Sequence, residues 1–308
     1  MTKHLAVAAF AAILAAGPVQ AQTKIQIGCT ATSDCASAMV AVDEGLFKKH
    51  GLDAEMVLIG INSNIPAAIL SGSIQIGGPT STVFLQAVDG GLDLVAVSGA
   101  SIMNPTSNAN MAAFVRNGIT IKEPKDFFGK KVGAPGLGAF LHVLFVKWLV
   151  EKGVDPKSVN FVEVTFPTMA DIIKSGGVDA VLTAEPFVSR MLNAGIGTVG
   201  ARYGAELART EPIIFYAAAR DWAEKNPDTI KKFRAAIAEG AAIVNTDRDK
   251  ASASISKFTK QPIELVKATV PNRSEPVLKA DQLAWWIDVM SSQKMLQTKV
   301  DLNKLMLN

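Results

Sequence analysis

Few residues in this 308-residue sequence have the types and spacing of catalytic machinery. Two histidines lie beyond the N-terminal segment, His50 at a helical end and His142 in an apolar helical run. A lone histidine in such a setting usually serves the fold. HExxH, GxSxG and CxxC are all absent. Gly136 and Gly138 could open a dinucleotide loop, but the fingerprint needs a third glycine where Leu141 stands. The Lys-Ser/Thr pair of a phosphate loop is also missing. The two cysteines, Cys29 and Cys35, do not have metal-site spacing. They could form a disulfide closing a short loop or remain free thiols, one at a strand end and one in a helix. The sequence therefore predicts no catalytic residue, no metal and no cofactor.

What the chain does offer is hydrogen-bonding capacity in short loops. Polar, small residues cluster over 29–34, 60–64, 78–82, 98–108, 136–140 and 183–187. Within them the candidate ligand contacts are Thr30, Ser33, Asn62, Asn64, Thr80, Ser81, Thr82, Asn104, Gly138, Thr183 and Glu185, with Phe140 and Phe187 as apolar wall. Met103, Phe166 and Tyr216 are further wall candidates. Hydroxyls, amides and free backbone N–H groups hold a ligand without reacting with it. Helix N-termini beginning near Thr80 and Gly138 would favour an anionic oxygen. Glu185 could accept from a ligand amine or hydroxyl, or cap the helix that starts near Phe187. No Arg lies in these loops, which disfavours a strong double anion.

The elements that must position these loops alternate. Lys24–Gly28 (KIQIG) has strand periodicity, followed by a helix over Cys35–His50 and a strand over Ala54–Ile59. Asn64–Leu70 is a short helix stopped by Ser71-Gly72, Ile74–Gly77 a strand, Pro79–Val88 a helix and Leu94–Val97 a strand. The pattern restarts with strands predicted at Lys131–Ala134, Val159–Val164 and Val178–Leu182, and helices at Ala139–Lys152, Met169–Lys174 and Phe187–Asn193. KKHGLD (48–53) matches VEKGVD (150–155), and AILSGSI (68–74) matches DIIKSGGV (171–178). By this internal repeat Glu185 falls where Ser81 stands. Strands alternating with helices predict parallel sheets, with ligand loops beyond the strands' carboxyl ends. After a strand at Ile213–Ala218 the chain reads as helical to its end.

Residues 1–21 are a separate object. One lysine, an apolar run LAVAAFAAILAAG and small residues at Val19-Gln20-Ala21 form a secretory signal peptide, too short to span a bilayer. The mature chain is expected to be soluble and periplasmic. The net charge of the whole sequence, +3 and carried on scattered basic residues, is too small to point to a nucleic-acid partner.

Four stretches, AVDEGLFKKHGLDAEMV, AAILSGSIQIGG, EPKDFFGKKVGAPGLGA and SGGVDAVLTAEPF, resemble the substrate-binding proteins of nitrate, sulfonate and taurine-type ABC importers. The wider superfamily includes the thiamine-pyrimidine binders. The resemblance covers roughly Lys24 to Tyr216. It implies a type II periplasmic-binding-protein fold, an α/β protein of two Rossmann-like lobes joined by a two-segment hinge near Met111–Val115 and Ile213–Tyr216. Residues 22–111 and 214–308 would form one lobe and 112–213 the other, with the C-terminal helices returning to the first. A small organic solute (a sulfonate, carboxylate or heterocycle) would sit between the lobes of a monomer and pass to an ABC permease in the inner membrane. Two other readings stay open: an enzyme of pyrimidine-synthase type on the same fold, although the cysteine-rich segment of such enzymes is missing, and a ligand-sensing lobe for a membrane receptor. The paired cysteines in the first loop depart from the family's pattern.

Overall fold

The computed structural model describes residues 22–207 and 209–307. The predicted signal peptide lies outside the described residues. The strands run in chain order β1 (Thr23–Cys29), β2 (Leu52–Leu58), β3 (Ile76–Gly77), β4 (Leu94–Ile102), β5 (Ala112–Arg116), β6 (Lys131–Ala134), β7 (Asn160–Glu163), β8 (Ala180–Thr183), β9 (Gly197–Ala201), β10 (Pro212–Ala219) and β11 (Arg273–Ser274). They form two sheets, ordered β11-β4-β10-β3-β1-β2 and β7-β6-β8-β5-β9.

Each sheet has a parallel core and antiparallel additions. β2 and β3 flank β1 in parallel, and β7 and β8 flank β6 in parallel. β4, β10 and β11 are antiparallel to their neighbours in the first sheet, and β5 and β9 in the second. The antiparallel strands follow from connectivity. The chain leaves the first sheet after β4 and returns into it at β10, so it crosses between sheets twice, over 103–111 and 202–211. These crossings lie just before the expected hinge positions, because Ala112–Val115 and Ile213–Tyr216 are already paired in β5 and β10.

The expected single helix over Cys35–His50 is two, Ala36–Asp43 and Leu46–Lys49. Gly45 separates them at φ 69°, a left-handed conformation that costs glycine little. The helical tail is as expected in kind. Pro227–Thr246 starts with Pro in its first turn, where a missing N–H does no harm, and packs with Arg248–Thr259 against Ala36–Asp43. The last helix, Ala284–Ser292, contacts Ser81–Asp89 of the first sheet's layer. Just beyond it, Gln293 Nε2 donates to the Val143 carbonyl at 3.1 Å, so the tail also reaches the second lobe.

Gly240 marks the closest helix crossing. A Cβ there would fall on the Ser37 carbonyl oxygen and come within 3.3 Å of Ala41 Cβ. Alanine normally stabilises a helix interior by about 1 kcal/mol over glycine. Here overpacking wins, and Gly240→Ala should lose about 1–3 kcal/mol in urea denaturation. A more stable variant would mean that the two helices can separate freely.

Candidate functional site

The carboxyl ends of all six parallel-core strands meet at one solvent-open cavity, whose empty space of about 760 Å³ includes part of that solvent. From the first sheet come Thr30, Thr32, Ser33 and Asp34 after β1, Asn62 after β2 and Thr80 after β3. From the second come Pro135, Ala139, Phe140 and Leu141 after β6, Phe166 after β7, and Ala184, Glu185 and Phe187 after β8. The first crossing adds Ser107, Asn110 and Met111, β10 adds Ile213 and Ile214, and the tail adds Thr269, Val270 and Asn272.

The loop after β1 is clamped at both ends. Cys29 and Cys35 are disulfide-bonded, which resolves the alternatives left by the sequence. The bridge packs on Gly78, whose missing Cβ would lie 2.6 Å from Cys35 Sγ. Any side chain there would displace the disulfide or the loop after β3. Behind the loop, the Tyr216 hydroxyl lies 3.0 Å from Ser37 Oγ and accepts from the Ala38 N–H at 3.2 Å. Burial pushes that phenol's pKa up, so it stays protonated. Tyr216 is thus a brace for the helix behind the cavity and does not line it.

Asn62 organises the next loop. It is 3% exposed, and its Oδ1 accepts from the Thr80 N–H at 2.9 Å. The Asn62 N–H donates across the cavity mouth to the Pro135 carbonyl at 3.2 Å. Ser63 Oγ donates to Glu163 Oε1 at 2.8 Å, a second bond between the lobes. The lobes are therefore closed on each other at this edge.

The apolar wall belongs mainly to the second lobe. The Phe166 and Phe187 rings stack with centroids 5.1 Å apart. Phe140 meets Trp286 edge-to-face at 5.6 Å. Glu185 sits between wall and polar loops. Its Oε2 accepts from the Ser189 N–H at 3.0 Å, so it caps the Phe187–Asn193 helix while also lining the cavity.

Thr30, Ser33, Asn62, Thr80, Phe140, Glu185 and Phe187 are thus brought together, and Phe166 joins them. Six other candidates lie elsewhere. Ser81 turns inward, and its Oγ donates to the Pro212 carbonyl at 2.8 Å. Thr82 is fully buried, with Oγ1 3.1 Å from that of Thr80. In a helix's first turn successive residues rotate by about 100°, so one of three neighbours can face the cavity. Asn64 is exposed at the start of Ile65–Leu70. Asn104 spends its Oδ1 on the Ser107 N–H at 2.8 Å as a helix cap. Gly138, at φ 76°, lies under the Gln86 side chain and is not a cavity residue. Thr183 is fully buried as the last residue of β8, with its hydroxyl unpartnered. Met103 is likewise core.

Asp34 is the contact that residue types alone did not single out. Its Oδ2 accepts from Thr32 Oγ1 at 2.8 Å, and its Oδ1 from Asn272 Nδ2 at 2.8 Å and Ser101 Oγ at 3.1 Å. Burial raises its pKa, and the three donors work against that rise. Asn272 in turn accepts from Ser107 Oγ at 2.5 Å. The only local signal for Asn272 is its place after Pro271; its arrival at the cavity depends on the tail folding back. No Arg, Lys or His lines the cavity among the described residues. No group of three or more His, Cys, Asp or Glu among them could hold a metal ion.

Comparison with known proteins places this geometry. The family model described as NMT1/THI5 like matches residues 32–251. A putative aliphatic sulfonates-binding protein of Escherichia coli K12 is 30% identical over 217 residues, 69% of this chain and 64% of that protein. The nitrate/nitrite binding protein NrtA of Synechococcus elongatus is 24% identical, with 70% of this chain and 53% of that protein covered. The chain thus spans less than two thirds of the length of these relatives. Among solved structures, the alkanesulfonate-binding protein SsuA of Xanthomonas axonopodis pv. citri, bound to MOPS, superposes with a TM-score of 0.77 at 18% identity, over 92% of this chain and 98% of that one. The periplasmic aliphatic sulphonate binding protein SsuA of E. coli gives 0.70 at 23% identity, over 92% and 97%. The periplasmic nitrate-binding protein NrtA of Synechocystis PCC 6803 gives 0.74 at 15% identity, over 91% and 84%. The shared architecture is the periplasmic-binding-protein fold.

Proposed function

The chain belongs to the NMT1/THI5-like family, and from that membership we propose that it is an exported solute-binding protein of an ABC importer. It captures a small organic molecule between two lobes, residues 22–111 with 214–308 and residues 112–213, and presents the closed form to a membrane permease. It works as a monomer in the periplasm, after removal of the leader over 1–21, and does no chemistry on its ligand. The observation that carries this reading is the single cavity fed by strand ends of both sheets and bridged by the Asn62–Pro135 and Ser63–Glu163 bonds. Domain closure around a ligand is a familiar way to report occupancy. Three phenylalanines in the wall favour an organic body over a bare inorganic ion.

A thermal-shift screen of small sulfonates, carboxylates, heterocycles and amines tests this. A ligand at a hundred times its Kd should add about 2.7 kcal/mol of stability. Phe187→Ala and Asn62→Ala should each remove most of the shift. A hit whose shift survives both substitutions would place binding outside the cavity.

A further inference from the structure

We propose that the cavity takes an organic cation, a protonated amine carried on an apolar body, with Asp34 and Glu185 as its counter-charges. This rests on the cleft-binding reading above and narrows it by charge. Both ionisable side chains that line the cavity are acidic. Neither forms an ion pair among the described residues. Asp34 is surrounded by donors, from Thr32, Ser101 and Asn272, which fix its plane and hold it as an acceptor. A carboxylate so oriented can still accept from an ammonium.

A second observation points to an occupant. Thr30 lines the cavity at 3% exposure, and its hydroxyl has no partner among the described residues. That hydroxyl is not sealed in the core and is available to a ligand's hydrogen bond at the cavity. Thr30 and Asp34 belong to the same disulfide-closed loop, so this polar side of the cavity is rigid.

The opposing effect is the positive end of two helices, Ser81–Asp89 and Phe140–Glu151, whose first turns adjoin the cavity. Each is worth about half an elementary charge. The Thr80 side chain already accepts from the Val83 N–H, which uses part of the first helix's capacity. Two carboxyl groups oppose these two half charges, and no basic side chain among the described residues lines the cavity. The rings of Phe140, Phe166 and Phe187 in the cavity wall also suit a cation better than an anion. The relatives named for sulfonates and nitrate are named for anions. This chain's cavity carries the opposite preference.

Matched probes decide it. Primary amines with aryl or alkyl bodies of graded size, 2-phenylethylamine among them, are titrated calorimetrically into the mature protein beside the alcohol and the sulfonate of the same carbon skeleton. At least one amine should bind, at least tenfold tighter than its alcohol and its sulfonate. Asp34→Asn and Glu185→Gln, both near-isosteric, should each cut the amine-over-alcohol preference at least fivefold. A sulfonate that binds tighter than its amine, equal affinity across a matched set, or no binding by any amine overturns the charge assignment. Phe187→Ala separates the two readings. Sulfonate binding that is lost in this variant refutes the cation and keeps the cleft. Binding of every probe that is indifferent to it refutes the cleft itself.

Discussion

Trp286→Ala should lower the unfolding free energy by about 3–5 kcal/mol, the range for emptying a large aromatic site. Trp286 is fully buried, and its Nε1 donates to the Pro212 carbonyl at 2.8 Å. Its ring stands edge-to-face to Phe140 and 4.7 Å, centroid to centroid, from Trp285. The residue joins three parts of the chain: the C-terminal helix, the start of β10 where the second crossing ends, and the helix that carries the cavity wall. Losing it empties the junction and frees Phe140. Trp286→Phe is the informative control. It refills most of the volume and loses the hydrogen bond, worth about 1 kcal/mol. The Pro212 carbonyl then keeps Ser81 Oγ as a donor, so it is not left unpaired. Urea denaturation with matched slopes would check the pair. A loss below 1 kcal/mol for the alanine variant would mean that the tail is not integral to the core.

Acid should destabilise the protein in a window set by His142. This side chain is 8% exposed, and burial pushes its pKa down to about 4. Its Nδ1 accepts from the Gly138 N–H at 3.0 Å, and its ring packs edge-to-face on Phe161. In the unfolded chain it titrates near 6.5. Between those values the unfolded state binds the extra proton, so stability rises with pH and falls as pH drops from about 6.5 to about 4. The full effect is about 3 kcal/mol, from 1.36 kcal/mol per unit. Asp34 contributes with the opposite sign, since its folded pKa is raised. Asp89, Asp126 and Glu206 have lowered pKa values and lose their contribution as pH falls from the ordinary carboxylate range through those lowered values. His142→Gln keeps an acceptor for Gly138 and removes the titration, so the fall due to His142 should be missing from its curve. Thermal melts of both proteins from pH 7 to pH 4 would check this. Parallel curves would show that His142 is not the titrating group. The stake is local, because the Gly138 bond holds the loop that leads into the cavity wall.

The alternation of strands and helices was legible because each element carries its own period and its own stops. Lys131–Ala134, Met169–Lys174 and Phe187–Asn193 needed only local chemistry. β5 and β9 were not read as strands. Their pairing is antiparallel and across the sheet, and nothing in their own residues distinguishes them from crossing segments. The cavity was legible as a set of strand-end loops, but not residue by residue. Glu185 and Ser81 are equivalent in the internal repeat, yet Glu185 lines the cavity and Ser81 bonds Pro212 behind it. A helix's first turn spreads its side chains over most of a circle, and the repeat does not encode which one faces the ligand. Asp34 and Asn272 are 238 residues apart and meet at 2.8 Å. Their sharing of a site is a property of the returning tail. The acidic side chains of the cavity lining, Asp34 and Glu185, are hidden in the same way, since the chain as a whole carries a net charge of +3.

The most direct measurement is a crystal structure of the mature protein with its best-binding ligand from the screen. Density for one molecule should lie between the lobes, within contact distance of Thr30 and Asn62 on one side and Phe187 and Glu185 on the other. Density confined to one lobe's surface, or an occupied structure with this cavity empty, would contradict a solute-binding cleft.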